Sequence, residues 1–320
     1  MIQVDQRPLG ASGIVVPSLG IGIWSWGDRQ FWGYGQDYTR EDISQAYKVC
    51  LDAGLNFFDT AEIYGSGMSE RILGECVRAD ERPIVIASKF APLPFRFSAR
   101  SLLAALDRSL ERLGVEHIDL YQIHWPYSII GIQPLMDTLA EAVQSGKVRA
   151  VGVSNYSAAQ MHQAYERLKR HEIPLASNQV HYSLLHRKPE SNGVLAACRE
   201  LNVALIAYSP LEQGLLTGKY RVTLANALSV KGTRRLTPKF RAAQLQKMEP
   251  LMETVAQIAQ AHDKTCGQVA LNWLLEKDEH IIPIPGAKNA RQAQENAGAL
   301  GWRITSEEQS QLDAAAKQWL

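Results

Sequence analysis

At 320 residues the chain could form one large domain or two small ones, and its 46% hydrophobic content can fill a sizeable core. The formal net charge is +1 with both signs mixed, so no global field points to nucleic acid or an anionic membrane. No apolar stretch approaches the roughly eighteen residues that span a bilayer. Met1 to Asp5 lack the basic start and apolar run of a signal peptide. Cys50, Cys76, Cys198 and Cys266 stand apart without CxxC spacing, as expected of reduced thiols in a cytoplasmic protein.

The chain opens with two short strand-like pieces, Val4 to Leu9 and Ile14 to Val16, around Gly10-Ala11-Ser12-Gly13. They read as a hairpin. From Leu19 onward, apolar strands alternate with amphipathic helical stretches. Leu19 to Ile23 is strand-like, and Arg40 to Ala53 has helical spacing stopped by Gly54. A strand over Asn56 to Asp59, a helix from about Ser69 and a strand over Ile84 to Lys89 follow. Ser98 to Leu113 reads as a helix capped by Ser98 and ended by Gly114. Next come a strand over Ile118 to His124 and a helix from Leu135 to Gln144, stopped at Ser145-Gly146. The remaining strands are Val148 to Val153, Ala176 to Val180, Val203 to Tyr208 and Ile281 to Ile284. Eight βα units over this length predict a closed (β/α)8 TIM barrel, with the hairpin sealing its bottom, rather than an open doubly wound sheet. No linker or repeat interrupts the pattern, so residues 1–320 read as one domain.

Three of these strands run into titratable ends. Asp59, Lys89 and His124 close them, and Tyr64 follows Asp59 within one turn's reach. The C-terminal mouth of a barrel is where such ends converge. An acid, a phenol, an amine and an imidazole brought together there make a proton-transfer site.

The run Phe57-Phe58-Asp59-Thr60-Ala61-Glu62-Ile63-Tyr64-Gly65, with Lys89, His124-Trp125, Ser154-Asn155 and Gln179, closely resembles the aldo-keto reductase superfamily over essentially the whole chain. The resemblance implies Tyr64 as general acid, Lys89 as its tuner, Asp59 as the partner of Lys89, and His124 as an aid to orienting a substrate carbonyl. On physical grounds the Lys89 ammonium should favour the phenolate and ease proton release. The hydride must come from a reduced nicotinamide, since no side chain supplies one.

Neither G-x-G-x-x-G nor a P-loop is present: Ser25 stands where a third glycine would fall, and Tyr220 follows Gly218-Lys219. A dinucleotide must therefore be held by barrel loops. The resemblance implies that Ser154, Asn155 and Gln179 bond the nicotinamide carboxamide and that Tyr208 stacks on its ring, with Ser209-Pro210-Leu211 continuing the motif. Simple capping of the next helix is the competing role for Ser154 or Asn155. Between Glu212 and Glu249 no acid occurs, whereas Lys219, Arg221, Lys231, Arg234, Arg235, Lys239, Arg241 and Lys247 do. This run reads either as a solvated face or as a loop over the pyrophosphate, with Lys219 and Arg234 its contacts. Ile284, Gly286, Ala287, Lys288, Gln292, Glu295 and Asn296 match the family's adenosine-binding motif. Gly286 and Ala287 would admit backbone N–H groups to a phosphate, and Lys288 would meet the 2′-phosphate of NADPH. Gln292 replaces an arginine of many relatives, which weakens the expected discrimination against NADH.

Three of the seven tryptophans, Trp24, Trp26 and Trp32, fall in the loop after the first strand. Trp24, with Phe90 and Trp125 opposite, reads as the wall of a pocket for a small carbonyl substrate with an apolar or aromatic body. The loop resembles a cyanobacterial and plastid branch of the superfamily. The competing readings are a cofactor-binding regulatory subunit, as among the potassium-channel β subunits that share this fold, and a Schiff-base enzyme using Lys89. No metal site is expected, since His162, His171, His181 and His186 lack ligand spacing. The chain is expected to be a cytoplasmic monomer or weak homo-oligomer.

Overall fold

The computed structural model describes residues 4–220, 230 and 232–320, the Arg235 side chain excepted. Arg221 and Lys231 of the basic run lie outside the described residues. Eight strands form one parallel sheet in sequence order: β3 (Ile21–Gly22), β4 (Phe57–Asp59), β5 (Val85–Phe90), β6 (Ile118–Ile123), β7 (Val148–Ser154), β8 (Leu175–His181), β9 (Ala204–Tyr208) and β10 (Ile281–Ile284). The sheet closes on itself. Pro283 and Pro285 lack N–H groups but offer carbonyls, which the Gly20 and Gly22 N–H groups meet at 3.0 Å each. A Cβ on Gly22 would stand 2.9 Å from the Ile284 carbonyl oxygen, so this seam requires glycine. Close approach there also leaves β3 shorter than the apolar run Leu19 to Ile23 suggests.

The hairpin pairs β1 (Gln6–Pro8) with β2 (Val15–Pro17). Its Leu9, Ile14 and Val16 pack in one buried cluster with Phe57, Ala87, Leu120, Ala150, Ala204, Ile206 and Ile282. These are the inward positions of the strands, so the hairpin plugs the bottom of the barrel. A second, larger cluster lies between strands and helices and includes Phe58, Ile86, Phe90, Tyr121 and Ile123. The two clusters follow the period of two along each strand.

The outer ring contains α1 (Arg40–Asp52), α2 (Met68–Ala79), α3 (Arg100–Leu113), α4 (Ile132–Gln144), α5 (Ala158–Lys169), the short α6 (Lys188–Ser191) and α7 (Val194–Leu201). Before β10 come α8 (Ala242–Ala261) and α9 (Cys266–Lys277), and after it α10 (Ala290–Ala297) and α11 (Ser306–Ala315). Gly114 ends α3 in the left-handed region at φ 69°. Ser98 is not its cap: the helix starts two residues later, and the Ser98 hydroxyl accepts from the Arg100 N–H at 3.3 Å. Among the described residues no helix is long and apolar enough to cross a membrane.

Candidate active site

Strand alternation builds the site floor. Phe57, Ala87 and Leu120 face inward in one layer, so Asp59, Lys89 and Gln122, each two residues on, form the next layer toward the mouth. Lys89 is fully buried and Asp59 is 2% exposed. The Lys89 Nζ donates to Asp59 Oδ1 at 2.5 Å and to the Thr60 carbonyl at 2.7 Å, and it reaches the Tyr64 hydroxyl at 3.4 Å. The other Asp59 oxygen accepts from Gln179 Nε2 at 2.8 Å and Gln122 Nε2 at 3.1 Å. Gln122 was not singled out in the sequence, although its place two residues before His124 on an inward-facing strand is the signal for it.

Tyr64 begins a one-turn helix, Tyr64–Gly67, in which Gly65 and Ser66 take left-handed backbone. This sharp turn brings the phenol back over Lys89. Thr60 donates to the Ser69 hydroxyl at 2.8 Å and Ser69 to the Ile23 carbonyl at 2.9 Å, tying the start of α2 to the strand ends. His124, one residue past β6, meets the Tyr64 ring edge-on at 5.6 Å and stacks on Trp125 at 4.0 Å.

Burial raises the Tyr64 hydroxyl above its ordinary pKa, and outweighs the Lys89 ammonium, which acts on Tyr64 in the expected direction. Tyr64 is therefore a neutral phenol at neutral pH. Burial alone would lower Lys89, but Asp59 and Tyr64 hold it above its ordinary value. A buried ammonium held by three partners is no free amine nucleophile, which argues against the Schiff-base reading. Burial and then the Lys89 charge push His124 down to about 2, so its ring is neutral.

Above this floor lies a cavity of about 660 Å³. Asp59, Tyr64, His124, Trp24, Trp125, Ser154, Asn155, Gln179 and Tyr208 are among its lining residues. Ser209, Pro210, Leu211, Lys219, Arg234, Ile284, Gly286, Lys288, Gln292, Glu295 and Asn296 also line it, as does Arg291, which was not singled out in the sequence. Ser154 and Asn155 do not cap α5: Ser157 does, in a reciprocal box with Gln160. Instead Ser154 Oγ donates to the Gln179 carbonyl at 2.8 Å, and Asn155, at φ 62°, takes the Tyr208 hydroxyl on Oδ1 at 3.0 Å. Gln292 Oε1 accepts the Lys288 N–H at 3.0 Å, and Asn296 Nδ2 donates to the Gly286 carbonyl at 3.2 Å.

One sequence candidate sits elsewhere, and a second, between the cavity-lining Gly286 and Lys288, turns its side chain away. Phe90 is fully buried in the cluster outside the barrel, under the Arg96 guanidinium at 4.7 Å. Because Lys89 points inward, its neighbour on the strand must point outward. Ala287 packs in the core with its carbonyl accepting from Trp26 Nε1 at 2.8 Å. The basic run also divides. Lys219 and Arg234 line the cavity, Lys239 pairs with buried Glu212 at 2.8 Å, and Arg241 and Lys247 are exposed.

A closed parallel barrel with a titratable cluster and a long cavity at its C-terminal mouth defines a barrel enzyme. Comparison with known proteins identifies which kind: residues 18–317 match the Aldo/keto reductase family, and the chain belongs to that family of oxidoreductases. It is 39% identical to a chloroplastic pyridoxal reductase of Arabidopsis thaliana, covering 99% of this chain and 86% of that one. It is 33% identical to the L-glyceraldehyde 3-phosphate reductase of Escherichia coli K12, covering 97% and 92%. Its fold matches an aldo-keto reductase of Klebsiella pneumoniae crystallised with NADPH, with TM-score 0.76, 27% identity and coverage of 98% and 95%.

Proposed function

We propose that residues 1–320 form a single-domain, NADPH-dependent reductase of an aromatic aldehyde, with Tyr64 as the proton donor. The observation that carries this reading is the bonded series Asp59–Lys89–Tyr64 at the floor of an aromatic-walled cavity. The cavity suits the cofactor. Its far end carries Lys219, Arg234, Lys288 and Arg291. Partial burial, then the charges of Arg234 and Arg291, depress the Lys219 ammonium against the opposite pull of Glu295. A Cβ on Gly286 would meet only the Gly22 carbonyl oxygen, at 3.5 Å, so the glycine leaves room for a ligand rather than serving the packing. Phosphates would sit among these groups, the carboxamide at Ser154, Asn155 and Gln179, and the nicotinamide ring on Tyr208. The reduced nicotinamide, when bound, supplies the hydride.

The chain's own residues manage the proton. Neutral His124 can donate one N–H to the carbonyl oxygen and hold it near Tyr64. As negative charge grows on that oxygen, the Tyr64 hydroxyl passes it a proton. Lys89 then stabilises the phenolate left behind, and Asp59 keeps Lys89 aimed. Trp24 and Trp125 flank the space in front of Tyr64 and fit a flat ring. The resemblance to a pyridoxal reductase makes pyridoxal the first substrate to test. Pyridoxal and benzaldehyde are expected to drive NADPH oxidation with higher kcat/KM than short aliphatic aldehydes. If no carbonyl drove oxidation above the blank, the reductase reading would be wrong.

The same geometry sets a pH profile. Tyr64 is raised above its ordinary value of 10.0, so the proton donor is intact below that pH and lost only above it. His124 titrates at about 2, far below neutrality. The kcat for reduction at saturating NADPH should therefore be flat from roughly pH 5 to 9 and fall only on the alkaline side. A step near the ordinary histidine value that disappears in His124→Asn would show that the ring does titrate.

A further inference from the structure

The loop after β3 does more than wall a pocket. Trp32 lies with Arg234 Cζ 4.9 Å and Lys288 Nζ 5.2 Å from its ring centre. The two cations come from different places, Arg234 from the one-turn helix Gly232–Leu236 and Lys288 from the turn after β10. Lys288 also stands 4.7 Å from the Tyr38 ring, so two aromatics of one loop hold it. The same ring of Trp32 meets Trp24 edge-on at 5.4 Å and Phe31 at 5.3 Å. Trp24 stacks on Phe31 at 5.0 Å and comes within 6.2 Å of Tyr64. Trp24, Trp32, Tyr64, Arg234 and Lys288 all line the one cavity. Trp32 Nε1 and Arg234 Nε are buried with no acceptor among the described residues.

We propose that Trp32 is a positioning residue that spaces Arg234 and Lys288 for the cofactor's phosphates and passes their occupancy to the substrate wall. The π-face offsets the repulsion of two like charges brought to one cavity end. A phosphate that draws either cation also brings oxygens to N–H groups that now lack them. The pull shifts the ring, and Trp24 and Phe31, packed on it, shift too. Coupling of this kind is reciprocal, so phosphate binding tightens the aldehyde site and the aldehyde tightens the phosphate site. The proposal rests on the NADPH reading for the identity of the anion.

Adenosine 2′,5′-bisphosphate, which carries the phosphates without the reactive ring, tests this by calorimetry and tryptophan emission. In the wild type its binding should change the emission, because Trp24 and Trp32 change surroundings. Trp32→Leu should weaken it roughly tenfold, the loss of partly desolvated cation–π contacts, and Trp32→Phe, which keeps a ring face, by less than about threefold. The aldehyde KM should be lower with NADPH than with NADH in the wild type, and the NADH-to-NADPH ratio of those KM values should fall to near one in Trp32→Leu. Unaltered emission on binding, unaltered affinity in Trp32→Leu, or an unaltered KM ratio would each overturn the coupling. If the wild type failed to bind the bisphosphate at all, the NADPH reading would fall with it, a result distinct from loss of the coupling alone.

Discussion

Tyr64→Phe is expected to lower kcat for aldehyde reduction by about 10²–10⁴-fold, the usual worth of a positioned general acid. The substitution removes one oxygen and keeps the ring, with its contacts to Trp24 at 6.2 Å and His124 at 5.6 Å. Lys89 loses only its longest partner, at 3.4 Å, and keeps Asp59 and the Thr60 carbonyl. The fold and the NADPH site should therefore be nearly untouched, with NADPH Kd close to that of the wild type. Because the proton moves only as charge develops on the oxygen, kcat and kcat/KM should fall together while KM holds. A kcat within tenfold of the wild type would place the donor elsewhere, and neutral His124 would be the first alternative.

The barrel was legible because its strands are apolar runs bounded by breakers, and because eight of them alternate with helices in one order. The floor of the site was legible from a joint occurrence: an Asp, a Tyr or a Lys alone at a strand end is ordinary, but together with His124 in this order they match the reductase motif. Phe90 shows the limit of reading by proximity in sequence. It lies beside Lys89 in the chain, yet the alternation that turns Lys89 inward turns Phe90 out to the helices. The same alternation, counted back from His124, leads to Gln122. The direction of the Tyr64 shift was not legible, since it balances burial against the Lys89 charge and burial is a property of the whole fold. Nor was the place of Trp32, whose partners Arg234 and Lys288 lie hundreds of residues away along the chain. A run of basic residues could not say which of its members face a cavity and which, like Lys239, satisfy a buried carboxylate.

Lys89→Met is expected to destabilise the protein by about 3–5 kcal/mol, because it strands a buried carboxylate rather than because the ion pair is itself strong. Asp59 is 2% exposed and, without the ammonium, keeps only the amide N–H groups of Gln122 and Gln179. Asp59→Asn strands the opposite charge: Lys89, fully buried, would keep only neutral acceptors such as the Thr60 carbonyl and the Tyr64 hydroxyl. Its cost should be of the same order. The double variant removes both charges at once and leaves neutral groups of similar size. Its loss should fall short of the summed single losses by about 0.5–3 kcal/mol, the range for directly contacting residues. Urea unfolding with unchanged m values reads all four corners of the cycle. Activity should behave differently. In the double variant no ammonium remains to stabilise the Tyr64 phenolate, so kcat should stay as low as in Lys89→Met although the loss of stability is less than additive. Strictly additive losses would mean that the two charges do not depend on each other in the fold. Recovery of kcat in the double variant would mean that Lys89 serves only to balance Asp59, and that the proton leaves Tyr64 without its help.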